Sequence, residues 1–332
     1  MPKPGLGAAP GTPSALDAES FDDLRLLGIA IGGTNSRARL WARGQIAAES
    51  QASSASLPAV GPKAARSALA ALLSGADAGP GDPVDAVCVG SAGLSVPGAR
   101  QFLHDQLAPL TRSGTVVIVT DAMLVLPAAG LDSGVAVICG TGSVAVGRRD
   151  DRTVQVGGWG YLLSDPGSGY WIVREALRVL LRRRDHGRLP GELGRQLLAA
   201  TGSEDLAMFH RRYFEQPHVP GTWARHARLV LDSDDPAAAE ISDSAARAVA
   251  ELAAAATAEL RGRGELDGTG ELDQPSHLPV VLAGGLFRNR AFSRSSLDAV
   301  AQVMPGVEVS VLTDEPVAGA VRLAALAAKQ PG

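Results

Sequence analysis

The sequence predicts an α/β protein with two domains, and three observations lead to this fold class. The chain has 332 residues, whereas a single hydrophobic core rarely grows beyond roughly 250–300 residues. Apolar strands alternate with helical segments in both halves of the chain, which is typical of mostly parallel sheets. One unit also occurs twice, at residues 27–40 and 135–146: an apolar strand, a turn rich in Gly, Thr and Ser, and a second strand.

In the first half, hydrophobic periodicity predicts strands and helices in alternation. Three strands joined by two polar turns come first, and segments rich in glycine or proline separate the later elements. The predicted elements are strands within 26–50, a helix at 62–74, a strand at 84–89, a helix at 98–107, a strand at 115–120, and a helix that begins directly after Asp121.

The second half opens with the second copy of the unit and continues with a long helical region. Its predicted elements are three strands within 135–156, helices at 170–183, 193–200, 206–215, 223–231 and 237–260, a strand at 280–283, a helix at 290–303, a strand at 307–312 and a closing helix at 318–328. The polar repeat at 264–273 predicts an exposed loop. The closing helix is expected to pack on the first domain.

These elements predict a tail and two domains. Residues 1–24 are rich in Pro and Gly and are predicted to be a disordered tail. Residues 25–122 form the N-terminal domain. Residues 123–330 form the C-terminal domain, with a helical insertion at about 172–262.

Composition and charge exclude several classes of protein. The formal net charge of −4 disfavours a nucleic-acid partner, because binding to phosphate backbones needs concentrated positive charge. The basic run at residues 182–184 ends an amphipathic helix and is interpreted as a solvated face. No window holds ~18 consecutive apolar residues, so no membrane partner is predicted. Cys88 and Cys139 lie in apolar strands, which indicates buried, reduced thiols and a cytoplasmic protein.

The two glycine-rich turns are candidate phosphate-binding loops. Glycine lets backbone amides approach a ligand closely, and the Thr and Ser hydroxyls add donors. Two such hairpins facing each other would grip the phosphates of one nucleotide from both sides, which predicts an ATP-dependent phosphotransferase; the alternative is a pair of ordinary hairpins. The predicted nucleotide-binding residues are Gly32, Gly33, Thr34, Asn35, Ser36, Gly140, Thr141, Gly142 and Ser143, with Gly284 and Gly285 beside the adenine.

Asp121 is the candidate catalytic residue. It follows a parallel strand at its carboxyl end, the edge where open α/β sheets bind ligands. Phosphoryl transfer to a hydroxyl needs a base near the attacking oxygen, and Asp121 is interpreted as that base. A carboxylate here would also favour the N-terminus of the next helix, and the two roles are compatible.

The segment 157–172 is unusual in a chain with 4% aromatic residues. Trp159 could offer a flat apolar face to a sugar ring, and Asp165 could accept hydrogen bonds from hydroxyls or hold magnesium through water. The alternative is a glycine-rich loop whose two tryptophans fill a core.

Taken in order, these motifs resemble the sugar-kinase/actin/heat-shock-ATPase superfamily. Within it, the chain resembles the N-acetylglucosamine kinases and the related BadF/BadG/BcrA/BcrD-type ATPases. The resemblance covers about residues 26–327, and 157–172 is its most specific part. The matching segments are Gly32-Gly33-Thr34-Asn35-Ser36, Ser91-Ala92-Gly93, Thr120-Asp121-Ala122, Gly140-Thr141-Gly142-Ser143, Gly158-Trp159-Gly160, Asp165-Pro166-Gly167-Ser168-Gly169-Tyr170-Trp171-Ile172 and Ala283-Gly284-Gly285.

The resemblance implies two actin-like ATPase (ribonuclease H-like) domains around a nucleotide cleft that close over ATP and an amino sugar. It implies phosphorylation of a hexosamine, N-acetylglucosamine first, at its 6-hydroxyl, with Asp121 as the base. Mg²⁺ is expected at Asp121 and Asp165, and a homodimer is expected. The implied substrate-binding residues are Ser56, Ser91, Asp121, Thr141, Gly142, Trp159, Asp165 and Gly169.

Three positions depart from the family pattern. Ala30 stands where the family has an acidic residue before the first glycine loop, Ser56 replaces an Asn that contacts sugar hydroxyls, and Pro166 replaces a Glu. These departures leave open a glucosamine or N-acetylmuramic acid kinase, or a catalytically weakened sugar- or nucleotide-binding protein. An ATPase that energises an iron–sulfur reductase is disfavoured, because neither cysteine is predicted to be exposed.

Overall fold

The computed structural model describes residues 21–215, 220–261 and 278–329. Contacts divide the chain into two units. The first contains the described residues up to Leu131 and those from Asp314 onward, and the second contains those of Asp132–Thr313. The polar repeat at 264–273, predicted to be an exposed loop, lies outside the described residues.

The elements of the first part of the chain follow the predicted order. They are β1 (Leu26–Ile31), β2 (Asn35–Ala42), β3 (Gln45–Ser53), α1 (Leu57–Gly75), β4 (Ala86–Ser91), α2 (Ala99–Leu107), β5 (Val116–Val119), a 3-10 turn (Asp121–Leu124) and α3 (Val125–Ala128). Helix α1 begins earlier than predicted because a first turn precedes a kink at Gly61, whose φ is 77°.

The remaining elements belong to the second unit, except for the last helix. They are β6 (Gly134–Cys139), β7 (Ser143–Arg149), β8 (Arg152–Gly157), α4 (Gly169–Asp185), α5 (Gly191–Thr201), α6 (Leu206–Glu215), α7 (Pro220–Ala224), α8 (Ala227–Leu231), α9 (Pro236–Arg261), β9 (Val280–Ala283), α10 (Arg290–Val303), β10 (Val309–Val311) and α11 (Pro316–Ala328). The helix predicted at 223–231 is thus two short helices.

The first sheet has the strand order β3-β2-β1-β4-β5. Strand β1 is antiparallel to β2 and parallel to β4, and β4 is parallel to β5. The register pairs Ile31 with Ser91 and Gly90 with Val119. The carboxyl ends of β1, β4 and β5 therefore meet at one edge of this sheet.

Both faces of this sheet are buried, which explains the continuous apolar runs of its central strands. In β1, Leu27, Ile29 and Ile31 belong to a core cluster that includes residues of α1 and α2. Leu26, the first residue of the same strand, points to the opposite face and packs in a second cluster with residues of α11. Side chains alternate across a strand, so one strand serves both cores.

Helix α11 contacts β1, β4 and α3, which confirms that the closing helix packs on the first domain. Its approach is close: a Cβ at Gly28 of β1 would lie 2.7 Å from Val321 Cγ2. The contact-based division also differs from the boundaries expected from the sequence. The chain leaves the first unit after Leu131 rather than at residue 122, and α11 returns to that unit.

The second sheet has the order β10-β9-β6-β7-β8 and repeats the pattern of the first. Strand β6 is antiparallel to β7 and parallel to β9, and β9 is parallel to β10. The register pairs Ile138 with Ala283, so β6 and β9 end at the same edge. Side chains of α4 and α9 form one large core cluster with Val135, Val137 and Cys139 of β6.

Residues 1–24 were predicted to be a disordered tail, and residues 1–20 of this tail lie outside the described residues. From Phe21 onward this part of the prediction is wrong, because Phe21 is 9% exposed and packs in a cluster with Leu26 and Trp41. Among the described residues, every helix is too short or too polar to cross a bilayer.

Candidate active site

In the first unit, three loops meet at the carboxyl edge of the sheet. The first candidate phosphate loop, Gly32–Ser36 (called the first phosphate loop below), follows β1. The segment Ala92–Gly93 follows β4, and Asp121 follows β5 after Thr120. A fourth segment, residues 54–56, comes from the end of β3 and hydrogen-bonds to the first two of these loops. The topology of parallel strands gathers these segments although they are far apart in sequence.

The first phosphate loop is open to solvent at its tip. Gly33, Thr34 and Asn35 are exposed. A Cβ at Gly33 would meet no described atom within 4 Å. The Gly32 amide donates to the Asn35 carbonyl over 2.9 Å, which closes the turn. The tip therefore presents backbone and hydroxyl donors to a ligand, as a phosphate loop requires.

Asp121 begins the 3-10 turn, and Thr120 is its N-cap residue. Its carboxylate accepts hydrogen bonds from the amides of Ala122 and Asp121, in the first turn of this segment. Burial raises the pKa of Asp121 above its ordinary value, and these hydrogen bonds lower it in part. Asp121 forms no ion pair with any described residue. A partly desolvated carboxylate without a cationic partner is suited to accept a proton.

The hydroxyl groups of Ser56 and Ser91 are used within the protein. Both side chains are buried, and both donate to the Ala92 carbonyl over 3.1 Å. Gly93 has a φ of 77°, and a Cβ there would overlap Pro58 of α1. The two serines thus shape the Ala92–Gly93 turn, and their direct contact with a sugar stays a prediction.

The second phosphate loop, Gly140–Ser143, joins β6 to β7 in the second unit. The Gly140 amide donates to the Gly142 carbonyl over 2.9 Å. The start of α4 is hydrogen-bonded to this loop, because the Gly169 amide donates to the Gly140 carbonyl over 2.8 Å. A Cβ at Gly169 would lie 3.1 Å from that carbonyl oxygen. The structure thus uses Gly169, a predicted sugar contact, for close packing beneath the loop.

Asp165 is buried beside this second loop, with 6% of its surface exposed. Its Oδ1 accepts from the Gly160 amide over 3.2 Å, and its Oδ2 would lie 2.6 Å from a Cβ at Gly142. Burial raises the pKa of Asp165, and the Gly160 hydrogen bond lowers it in part. Its φ of 57° is left-handed, which is uncommon outside glycine and clusters at functional sites.

Trp159 does not fill a core, which was the alternative interpretation of its loop. Trp159 is 79% exposed, whereas Trp171 packs against the core of the second unit. Gly158 and Gly160, on either side of it, have φ values of 72° and 94°. Glycine is needed there, and the resulting turn presents an indole face to solvent.

The Gly284–Gly285 turn follows β9 at the same edge as the second phosphate loop. Gly284 has a φ of 114°, and a Cβ there would overlap the Cys139 carbonyl, so only glycine fits. Gly285 is exposed with open space around it. Cys139 and Cys88 are both free and buried, as predicted, and burial raises the pKa of each thiol to about 12.

The sequence-based reasoning missed Ser54. Its buried hydroxyl donates to the Gly32 carbonyl over 2.7 Å and accepts from the Ser56 amide over 3.1 Å. The only signal in the sequence is the run of small residues at 53–56, which also fits an ordinary loop.

The carboxylates near the two loops fit a magnesium ion that is bound mainly through water and substrate phosphates. The described residues contain no group of three or more His, Cys, Asp or Glu side chains that could hold a metal. Mg²⁺ commonly binds through one or two carboxylates, several waters and substrate phosphates. Asp121, at the sheet edge that carries the first phosphate loop, and Asp165, beside the second, provide carboxylates of that kind.

Two five-stranded sheets, each with an antiparallel hairpin whose turn is rich in glycine, define a two-domain α/β fold of the actin-like ATPase class. Residues 27–328 match the BadF/BadG/BcrA/BcrD ATPase family, and the chain belongs to that family.

Three similar proteins are all described as amino-sugar kinases. The N-acetylmuramic acid/N-acetylglucosamine kinase of Clostridium acetobutylicum is 36% identical over 103 residues, covering 30% of this chain and 33% of that protein. The N-acetyl-D-glucosamine kinase of Dictyostelium discoideum is 33% identical over 130 residues, 37% of this chain and 41% of that protein. The matches thus span less than half of these relatives. A candidate N-acetylglucosamine kinase from Chromobacterium violaceum, solved by crystallography, superposes with a TM-score of 0.68 at 26% identity, covering 93% of this chain and all of that chain.

Proposed function

We propose that the protein is an ATP-dependent hexosamine kinase that phosphorylates the 6-hydroxyl of its sugar, N-acetylglucosamine first. The observation that carries this proposal is Asp121: a carboxylate without an ion-pair partner among the described residues, at the sheet edge that also carries the first phosphate loop. Burial raises its pKa, which suits a base.

In this proposal Asp121 accepts the proton of the sugar 6-hydroxyl as the oxygen attacks the γ-phosphorus of ATP. A new O–P bond forms, the bond from phosphorus to the β–γ bridging oxygen breaks, and ADP leaves with that electron pair. Positioning and charge stabilisation account for most of the catalysis of phosphoryl transfer. The exposed residues Gly33, Thr34 and Asn35, with their backbone amides and the Thr34 hydroxyl, would position the phosphates.

Magnesium that accompanies ATP would be held by Asp121 or Asp165 through water, and it would neutralise phosphate charge. Ala30, a partly buried residue of β1 packed on the cluster around α11, supplies no carboxylate. The metal would therefore rest on one carboxylate, the phosphates and water.

Trp159 and Asp165 are proposed as the sugar contacts of the second unit. The exposed indole offers a flat apolar surface to a sugar ring. Asp165 has one oxygen beside Gly142, and this acceptor would pair with sugar hydroxyls. The kinases named above act on N-acetylated amino sugars, which supports N-acetylglucosamine or N-acetylmuramic acid over glucosamine.

The test is ADP release with ATP and magnesium, measured with N-acetylglucosamine, N-acetylmuramic acid, glucosamine, N-acetylmannosamine, glucose and no sugar. Turnover that depends on one amino sugar supports the proposal and names the substrate. Asp121→Asn should lower kcat by about 10²–10⁴-fold, the usual value of a general base, and leave sugar affinity largely unchanged. The matched control is Asp105→Asn, an exposed carboxylate of α2 in the same unit. Equal kcat values for the two variants would show that Asp121 is not the catalytic base.

A sugar- or nucleotide-binding protein with weakened catalysis is the second candidate. It is favoured by Ala30, which removes a carboxylate, and by Ser56, whose hydroxyl is already bonded to Ala92. Thermal stabilisation by sugar without any release of ADP would select this candidate.

A further inference from the structure

Buried serines connect the phosphate loop of the first unit to the two segments beside it. Ser36, Ser54, Ser56 and Ser91 are all at most 3% exposed. Buried hydroxyls need hydrogen-bond partners, and those of this group make bonds to backbone atoms of neighbouring loops. These bonds form a network, and Ser54 is its centre.

Ser54 holds the phosphate loop at two points. Its amide donates to the Thr34 carbonyl over 2.9 Å, and its hydroxyl donates to the Gly32 carbonyl over 2.7 Å. The adjacent Ala55 amide donates to Ser36 Oγ over 2.9 Å. Three bonds therefore fasten residues 54–55 along the loop that would bind the phosphates of ATP.

The same Ser54 hydroxyl accepts from the Ser56 amide over 3.1 Å. Ser56 in turn donates to the Ala92 carbonyl, and the Ala92 amide donates to the Ile31 carbonyl over 2.8 Å. Ile31 directly precedes the phosphate loop. The hydrogen bonds thus run in a closed path from the phosphate loop through Ser54, Ser56 and Ala92 and back to β1.

We propose that Ser54 is a positioning residue that couples nucleotide binding at the phosphate loop to the shape of the Ala92–Gly93 turn. This inference rests on the proposed function for its sugar half, because Ser56 and Ser91 are the predicted sugar contacts. The Ser54 hydroxyl donates to the phosphate loop and accepts from the Ser56 amide, and the Ser56 hydroxyl donates to the Ala92–Gly93 turn. A ligand that orders the loop therefore also orders the turn through these two serines. Coupling of this kind is reciprocal: sugar tightens nucleotide by the same factor as nucleotide tightens sugar.

The chain contains a matched control. Ser50 lies in β3, four residues before Ser54, is partly buried, and donates its hydroxyl to the Leu72 carbonyl over 2.6 Å. Ser54→Ala and Ser50→Ala each remove a hydroxyl-to-carbonyl hydrogen bond, and Ser54→Ala also removes the acceptor of the Ser56 amide. Only the first breaks the path between the ligand loops.

The experiment measures two quantities in the full-length wild type, Ser54→Ala, Ser50→Ala and Ser54→Thr. The first is the dissociation constant of a non-hydrolysable ATP analogue with and without N-acetylglucosamine. The second is hydrogen exchange at the Ala92 amide with and without the analogue. Ala92 is a suitable reporter because its own acceptor, Ile31, is intact in every variant.

In the wild type and Ser50→Ala we expect sugar to tighten the analogue about fivefold or more, the low end of common coupling factors, and the analogue to slow exchange at Ala92. Ser54→Ala should lose both effects, and Ser54→Thr, which returns the hydroxyl, should recover them. Ser54→Thr also keeps the test valid if Ser54→Ala folds poorly, since loss of coupling in a folded Ser54→Thr would overturn the proposal.

The outcomes separate this inference from the proposed function. Turnover on an amino sugar with unchanged coupling in Ser54→Ala overturns the role of Ser54 alone. No turnover on any sugar, with analogue-dependent protection of Ala92 in the wild type but not in Ser54→Ala, overturns the kinase and supports the coupling. A wild type in which the analogue leaves exchange at Ala92 unchanged overturns the coupling whatever the turnover.

Discussion

Replacement of Gly142 by alanine tests whether the second phosphate loop and Asp165 form one site. The glycine does not have a left-handed φ, so alanine meets no backbone penalty there. The added Cβ would stand 2.6 Å from Asp165 Oδ2 and 3.4 Å from its Cγ. The substitution therefore acts by pushing the carboxylate away from the loop.

The structure sets the size of the effect. Ordinary contact begins at 3.4 Å, so the carboxylate and the loop must separate by 0.8 Å, the difference between 3.4 and 2.6 Å. Overpacking of a buried site costs about 1–3 kcal/mol in the free energy of unfolding. Misplacement of a binding group by about 1 Å can lower the rate about 10²-fold, which we expect in kcat/KM.

The assay is a double-mutant cycle with Asp165→Ala, followed by urea unfolding and by ADP release. Once the carboxylate is gone, Gly142→Ala should cost almost nothing in unfolding free energy, because Asp165 Oδ2 and Cγ are the atoms the Cβ meets. A cost for Gly142→Ala that is the same in both backgrounds would refute the argument from contact. The unfolding arm is independent of the proposed activity.

Three further predictions concern charge and burial. Asp165→Asn should raise the free energy of unfolding, because the pKa of Asp165 is raised in the folded state. The gain is absent below the ordinary carboxyl pKa, grows as pH rises through it, and levels off above the raised pKa. Urea unfolding at several pH values would measure it. Arg183→Met should cost about 2–3 kcal/mol in unfolding free energy, because it removes the bidentate partner of Asp235, whose side chain is 8% exposed. The control is Arg195→Met, which breaks an exposed ion pair and should cost much less. Equal costs for the two variants would contradict this prediction. Both cysteines should resist alkylation in the folded protein and react after denaturation, as mass spectrometry would report; rapid labelling of the native chain would contradict their burial.

The local pattern of the sequence was sufficient for the two hairpin units. The turns after β1 and β6 were predicted because glycine, threonine and serine between two apolar strands favour a tight turn. Hydrophobic periodicity located most helices within a few residues. Helix α1 shows the limit of this approach: its first turn, before Gly61, carries too little periodic signal to be assigned. The packing of Phe21 was missed for the same reason, because a single aromatic residue forms no periodic hydrophobic pattern.

The site was predicted by residue type and only partly by role. Trp159 and Asp165 were selected because their residue types suit a sugar. Trp159 is exposed and Asp165 is buried, and their contact with a sugar stays a prediction. Ser56 and Ser91 were also selected, yet both hydroxyls donate to Ala92. The direction of a hydroxyl depends on the nearest acceptor in space, which a single sequence does not contain.

The sequence by itself determined the fold class, the two glycine-rich turns and the place of Asp121 after β5, because the local pattern of apolar, glycine and polar residues predicts these elements. Tertiary structure alone decided that α11 covers β1, since Gly28 and Val321 approach each other across almost the whole chain. It also decided that Ser54 hydrogen-bonds to the turn after β1 and that Asp165 is buried against Gly142. Hydrogen-bond partners and steric contacts between distant segments depend on atoms that folding brings together, and the apolar or polar pattern along the chain does not identify them.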